Sequence, residues 1–355
     1  MSASIGFGVI GAGRIGKRHA GNVAAAIDDA HLVAVFDASE EAARAATFGG
    51  AEVEPNIEAL LARSDVDAVI IASPTPLHVA HVEAAAAAGK AVLCEKPISL
   101  DHAETVRAMR TVAHAGIPFQ LGFNRRFDPS IAALAHALVT GEIGTPEAFR
   151  SLSSDPAPPP ESYVAVSGGL FVDSAIHDFD LARWMFGEVR RVTALGRVLV
   201  EPYFREHADV DTSIVTLEFE SGALGVVQNS RRTRYGYEVR VEALGSDGKL
   251  VAEDAFDPKT WRFDERGVHA NHVHDFLERF EAAYRLEVQA FVEALKADRA
   301  PSPGPVDAVA SVPAATVSSL SVGVSSAADA SVESAAASPA APLASRSTVT
   351  DVSVR

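Results

Sequence analysis

The apolar run Ile5–Ile10 breaks into Gly11-Ala12-Gly13-Arg14-Ile15-Gly16 and resumes as an alanine-rich stretch with helical periodicity. A strand, a glycine turn and a helix in that order restrict the fold more than any other feature of the chain. The first glycine permits the tight turn, the second lets backbone approach a pyrophosphate, and the third allows helix and strand to pack closely. The helix start then offers free N–H groups and positive potential to phosphates. A second apolar run, His31–Phe36, ends in Asp37. An acid about twenty residues beyond the turn accepts hydrogen bonds from the adenosine ribose and repels a 2′-phosphate. No Arg or Lys adjoins Asp37. The pattern therefore predicts NAD rather than NADP, held by Gly11, Gly13, Arg14, Ile15, Gly16 and Asp37. A glycine turn with no ligand is the plain alternative.

The alternation continues. Ile57–Ala62 reads as helix, Ala68–Ala72 as a buried strand, and Pro76–Ala88 as a helix stopped by Gly89. Ala91–Cys94 is a strand, Asp101–Ala115 a helix and Pro118–Gly122 a strand. Short apolar strands between helices predict a Rossmann-type, doubly wound parallel sheet over residues 1–123. Ligands of such sheets lie at the carboxyl ends of the strands. Two of those ends are polar: Ser73-Pro74-Thr75-Pro76-Leu77-His78 and Glu95-Lys96-Pro97. Ser73, Thr75, His78, Glu95 and Lys96 are accordingly expected to face the cofactor. Lysine prefers full hydration, so Lys96 straight after a buried strand calls for a reason beyond packing. A simple pairing with Glu95 is the alternative.

The pattern changes after Phe123. A helical stretch, Ser130–Thr140, leads to a proline-rich loop, Asp155–Glu161. In Gly168–Asp180 and beyond, Val172, Ala175, Ile176, Phe179, Ala182 and Phe186 recur at helical spacing. Asp173 and His177 are four apart on that helix and should emerge on one side, one turn above the other. A carboxylate beside an imidazole suits proton transfer near neutral pH; a satisfied surface pair is the bland alternative. Val192–Val200, Ser213–Glu220, Ala223–Asn229, Tyr237–Leu244 and Lys249–Ala252 read as strands. Residues 124–299 therefore predict an α+β domain with a largely antiparallel, open sheet, its interface with the first domain holding the active site. Glu281–Leu295 is a further helix. From residue 300 to 355 the chain turns to Ala, Ser, Val and Pro, the profile of a flexible tail.

A formal net charge of −16 argues against nucleic acid or an anionic membrane surface as partner. One cysteine, Cys94, excludes an internal disulfide and fits a reducing cytoplasm. No apolar stretch is long enough to span a bilayer, and no basic leader precedes the first strand, so a soluble cytoplasmic protein is expected. The patch His269-Ala270-Asn271-His272-Val273-His274 lacks a framing Cys or carboxylate pattern, and no metal is expected there.

GAGRIG, ASPTPLH, the CEKP lysine, GFNRRFDP, DPAPPPESYV, SGGLFVDSAIHDFD, NSRRTRYGYE and HDFLERFEAAY together resemble the Gfo/Idh/MocA oxidoreductases, over about Gly8 to Leu295. GFNRRFDP and the block from Asp155 to Asp180 are similar to the family's bacterial inositol-type branch. The resemblance implies a catalytic set at Lys96, Asp173 and His177, a homotetramer, and oxidation of a cyclitol hydroxyl, myo-inositol foremost. Another cyclitol, an aminocyclitol, an aldose or a non-catalytic sugar sensor are the alternatives. A polyol's secondary alcohol must lose its hydroxyl proton while hydride leaves its carbon. His177 is the expected base, Lys96 the stabiliser of the alkoxide, and Asp173 the group that orients imidazole or substrate. Asn124, Arg125, Asp155 and Tyr235 are the expected partners of the remaining hydroxyls, with Asp173 and His177. Two departures stand out: Ser174-Ala175 where relatives carry Met-Thr, and an end that starts like the family's closing helix at about Pro301 and then loses it.

Overall fold

The computed structural model describes residues 4–253, 256–310 and 352–353. The first sheet comprises β1 (Ile5–Ile10), β2 (Ala30–Phe36), β3 (Glu52–Val53), β4 (Ala68–Ile71), β5 (Ala91–Glu95) and β6 (Phe119–Gly122). They pair in parallel in the order β3-β2-β1-β4-β5-β6, with the order reversing at β1. Ligands bind at such a reversal. Helices α1 (Arg14–Ala25), α2 (Glu40–Ala45), α3 (Ile57–Ala62), α4 (Thr75–Ala87) and α5 (His102–Ala115) connect the strands. Local chemistry starts several of them. Asn56 Oδ1 accepts from Ala59 N at 2.7 Å and Asp101 Oδ1 from Ala103 N at 2.7 Å, each satisfying an otherwise orphan helix donor. Successive strand residues feed opposite faces, Val69 and Ile71 packing with α4 and α5, Ala68 and Ile70 on the other side.

A short 3-10 turn, Asn124–Phe127, links this sheet to α6 (Pro129–Val139), which Asp128 caps with Pro129 in its first turn. There follow β7 (Pro146–Ser154), α7 (Glu161–Ser167), a π-helical turn Phe171–Ala175, α8 (Ile176–Phe186), β8 (Val189–Arg197), α9 (Tyr203–Glu206), β9 (Thr212–Phe219) and β10 (Leu224–Ser230). Next come β11 (Glu238–Gly245), β12 (Gly248–Glu253), β13 (Phe256–Asp264), β14 (Gly267–His272), α10 (Phe276–Arg279) and α11 (Glu281–Lys296). The second sheet runs β12-β11-β7-β10-β9-β8, with Val352–Ser353 added beside β8. It is antiparallel except for the parallel pair β7 and β10. Alternation did not reveal β3, β13, β14 or β7; in β7 the sequence PEAFRSLSS is polar because Ser151 and Ser153 point inward to a buried carboxylate rather than to apolar core. One face of the sheet is buried and the other is open, in strict alternation along β9.

Two boundaries move. Helix α11, expected with the second domain, packs on the first sheet through Val288, Phe291 and Val292, with the Phe291 ring 6.2 Å from Phe7. Burying Phe291 completely is worth about 1.5–3 kcal/mol. The chain from 301 to 310, expected as the beginning of a flexible tail, is docked. Leu121 N donates to Pro303 O at 2.9 Å, Asp307 accepts from Arg126 at 2.7 Å, and Ala308 is buried in the core under α5. The tail expectation for 311–351 and 354–355 falls outside the described residues. Among the described residues no helix is long and apolar enough to cross a membrane.

Candidate active site

At the end of β1, Gly11 has φ +95°, and a Cβ there would stand 2.5 Å from Ser73 N. A Cβ on Gly16 would stand 1.8 Å from Gly11 O, so helix and turn touch through bare backbone. A Cβ on Gly13 would meet nothing within 4 Å. Gly13 also begins α1 without any side-chain cap, leaving the first N–H groups of the helix free. Such a bare turn suits a pyrophosphate. Asp37 closes it, accepting from Ala12 N at 2.6 Å and from Ser39 N at 2.8 Å. Arg14 projects outward over the Phe276 ring and within 3.6 Å of Asp275.

The other two predicted loops meet through His78. It is 1% exposed, with Nδ1 at 2.8 Å from Pro97 O and Nε2 at 2.6 Å from Ser73 O. It clips the two loops together and is too deep to touch a ligand. Ser73 Oγ lies 2.9 Å from His81 Nδ1, and Thr75 opens α4 beside it. The Glu95 carboxylate turns to His19 Nε2 at 2.9 Å.

Lys96 reaches across to the second domain. Its Nζ donates to the backbone O of Asp173 at 2.6 Å and lies 3.8 Å from Asp173 Oδ1. The Asp173 carboxylate also accepts from Tyr163 Oη at 2.7 Å and from Arg231 Nη2 at 2.8 Å. Arg231, 4% exposed, donates its other terminal nitrogen to Asp155 Oδ2 at 3.0 Å. Burial alone pushes Asp173 upward, but Arg231, Lys96 and the Tyr163 hydrogen bond outweigh it and hold the carboxyl below its ordinary value. Asp155 goes the other way: burial raises it, and Arg231 only partly compensates.

His177 stands apart from this clamp. Its Nδ1 is buried without a hydrogen-bond partner among the described residues, and its ring meets Phe123 edge-on at 5.9 Å. The expected Asp173–His177 pair is therefore not formed. Asp173 lies within the π-helical turn and His177 in the α-helix that follows. A π turn takes in an extra residue, which rotates the two side chains out of the i, i+4 alignment. Burial, then the charges of Lys96 and Arg125, press the His177 pKa well below its ordinary value. The ring is a neutral imidazole at neutral pH, able to accept a proton.

The expected hydroxyl partners divide. Asp155 belongs to the clamp. Arg125 does not face a cleft: it is 3% exposed and bound to Ser153 at 2.8 Å and Asp178 at 2.9 Å. Asp178, wholly buried, also accepts from Ser151 and Asn229, so Arg125 is spent on a hub beneath the site. Asn124 is likewise buried, at 3% exposure. Tyr235 is half exposed, bonded to Glu238 and 5.3 Å from the His272 ring; its loop is tied to the site through Thr233, which donates to Asp155 O. The histidine patch lies along hairpin strand β14, where His269 pairs with Asp264 at 3.1 Å. Sequence reasoning gave no role to Arg231 or Tyr163. Both sit in motifs quoted above, NSRRTRYGYE and DPAPPPESYV, which was the available signal.

Two family models match the chain. Residues 5–123 match the oxidoreductase family with NAD-binding Rossmann fold, and residues 131–251 match the GFO/IDH/MocA C-terminal domain. The myo-inositol 2-dehydrogenase of Thermotoga maritima is 42% identical over 299 residues, 83% of this chain and 89% of that protein. The crystal structure of a myo-inositol dehydrogenase from Corynebacterium glutamicum superposes with TM-score 0.86 at 37% identity, covering 90% of this chain and 96% of that one. The scyllo-inositol dehydrogenase of Lactobacillus casei, solved with bound NAD(H) and scyllo-inositol, gives 0.84 at 33% identity, covering 90% and 97%.

Proposed function

Because the chain belongs to the Gfo/Idh/MocA family of NAD-dependent oxidoreductases, we propose that it oxidises the 2-hydroxyl of myo-inositol to the corresponding ketone. NAD, when bound, supplies the nicotinamide ring that accepts the hydride. The residues present fit it: the bare turn at Gly11, Gly13 and Gly16 for the pyrophosphate, Asp37 for the ribose, and Ser73, Thr75 and the Glu95–Lys96 loop along the route to the reacting carbon. His177 takes the hydroxyl proton as the hydride leaves carbon, so the alcohol loses two electrons and two hydrogens and becomes a carbonyl. Lys96 holds the developing oxyanion by charge and hydrogen bond. Asp173 fixes Lys96, and Arg231 with Tyr163 fixes Asp173. Asp155 and Tyr235 are the partners of the remaining hydroxyls.

One observation carries the reading: Lys96 at the carboxyl end of β5 is held by the Asp173 segment at 2.6 Å, and the buried Nδ1 of His177, one turn further on, has no hydrogen-bond partner among the described residues. A sensor has no use for that combination. The test is NADH formation across a panel of cyclitols and aldoses. Highest kcat/KM with myo-inositol is expected. Preference for scyllo-inositol, the ligand of the Lactobacillus casei relative, would change the epimer and keep the chemistry. No turnover with any member would overturn the reading. The enzyme works in the cytoplasm, which supplies NAD and keeps Cys94 reduced. It assembles as a homotetramer through the open sheet face, where Leu195, Ile214, Leu224 and Leu244 are 66%, 49%, 61% and 43% exposed in the single chain. Sedimentation as a monomer at micromolar concentration would refute that assembly.

A further inference from the structure

Behind the Lys96 loop lies a group with no part in the chemistry above. Glu287, on α11, is fully buried, and neither of its carboxyl oxygens has a hydrogen-bond partner among the described residues. An ionised carboxylate in that condition loses its hydration with nothing in return. It faces His19 from α1 and Glu95 from β5: one ligating atom from each of the three lies within 4.8 Å of the others. His19 Nε2 and Glu95 Oε1 are 2.9 Å apart. From β6, the Gln120 side-chain amide donates to the Glu287 backbone O at 3.1 Å. Tyr284, one turn back on α11, meets the His19 ring edge-on at 5.6 Å. The Glu95 carboxylate packs against Gly122, where a Cβ would stand 2.9 Å from Glu95 Oε2 and 3.0 Å from Glu95 Cα.

The cluster holds two carboxyl groups and one imidazole; among the described residues the charge acting on Glu287 is that of Glu95, while Arg125 acts on the neighbouring Tyr284. Two carboxylates this close in a buried site do not both ionise. His19 partners Glu95, so the proton stays on Glu287. We propose that Glu287 is kept as a neutral carboxylic acid and acts as a positioning residue for Glu95 and thereby for Lys96, the next residue in the chain. One bridging water, hydrogen-bonding at about 2.8 Å, would link the Glu287 O–H to the His19–Glu95 pair. Burial, and then Glu95, both push the Glu287 carboxyl upward; burial, then Glu95 and Glu287, do the same to Tyr284. The positioning half of the proposal rests on the role given to Lys96; the protonation half does not.

Glu287→Gln and Glu287→Ala separate the possibilities, read first by thermal unfolding of the intact protein across pH, with and without EDTA. An acid whose folded pKa is raised binds its proton more tightly folded than unfolded, so wild type loses stability as pH rises above the unfolded value of about 4.3. Glutamine cannot titrate. The Tm of Glu287→Gln relative to wild type should therefore climb by at least about 3 °C between about pH 5 and pH 8, with no effect of EDTA. In turnover, Glu287→Gln should stay within about threefold of wild-type kcat, whereas Glu287→Ala should lose about tenfold or more. A Glu287→Gln protein that melts below wild type by the same margin at every pH overturns the neutral acid. So does a wild-type Tm that EDTA lowers and Zn²⁺ restores, which would make the cluster a metal site with Glu287 ionised. If Glu287→Ala keeps full kcat, the positioning role is overturned. Should no cyclitol turn over at all, the proposed function fails, and the thermal comparison still decides the protonation of Glu287.

Discussion

The turn at Gly11–Gly16 and the cluster around Lys96 both sit at carboxyl ends of strands in one parallel sheet, and they are built by opposite means. The turn leaves atoms out. Its glycines give backbone direct access to a ligand, and a Cβ at Gly16 would strike Gly11 O at 1.8 Å. The cluster instead buries charge. Lys96, Asp173, Arg231 and Asp155 hold one another within 2.6–3.8 Å and leave His177 uncharged beside them. A phosphate cradle made of backbone has no titrating group, and Asp37 beside it takes no part in proton transfer, so damage there should alter affinity and leave the pH profile alone. A site made of coupled charges should show the reverse.

The sharpest break of that comparison is His177→Ala. It should lose on the order of 10²–10⁴ in kcat, the usual worth of a positioned base, with NAD affinity unchanged by fluorescence titration. The acidic limb of the pH–rate profile should vanish. In wild type that limb lies below the ordinary histidine range, because a base is active once deprotonated and this one is held down by burial and by Lys96 and Arg125. Retention of kcat within about threefold would make the histidine structural and the comparison false.

Lys96→Met should cost roughly 10²–10³ in kcat, as removal of one oxyanion donor does elsewhere. It should also move the surviving acidic limb to higher pH, since a charge that depresses His177 is gone. Asp173→Asn keeps the backbone O that holds Lys96, so it should act through the carboxylate's contacts with Arg231, Tyr163 and Lys96 and not by withdrawing support from the imidazole. Arg231→Leu leaves buried Asp155 without its bonded cation and Asp173 with only Lys96 at 3.8 Å. About 3–5 kcal/mol of stability should go with it, measured by denaturant unfolding, and the loss should be smaller below the range where Asp155 titrates, a range burial has raised. On the backbone side, Asp37→Ser with Ala38→Arg should erase an NAD preference of about tenfold, or roughly 1.4 kcal/mol. Its pH profile should match wild type, and equal kcat/KM of wild type with NADP would sink the assignment.

The glycine turn, Asp37 and the alternation through Phe119–Gly122 were readable because their determinants are local: period, turn chemistry and a residue at a set distance in the chain. The parallel, doubly wound sheet follows from those rules, and its order β3-β2-β1-β4-β5-β6 comes from the tertiary structure. Lys96 was readable for the same reason, as a charge placed where packing has no use for one. The spacing of Asp173 and His177 led to a contact that does not exist, because a hydrogen-bonding shift of a single turn moves side chains that periodicity places together. Strand β7 escaped notice because only Phe149 of its inward face packs in apolar core, while Ser151 and Ser153 serve Asp178, 27 and 25 residues away in the chain.

The sequence by itself determined the sheet, its cofactor and the kinds of residue at the reacting end. Tertiary structure decided which of those residues are free to react. Arg125 and His78 look like ligand residues in one dimension, yet each is consumed by buried partners, Asp178 for one and two backbone carbonyls for the other. Arg231, unassigned in the sequence reading, became the cation that holds Asp155 and Asp173 together from 76 and 58 residues away. A polar side chain's role is set by what satisfies its hydrogen bonds and charge once water is gone, and those partners come from distant parts of the chain.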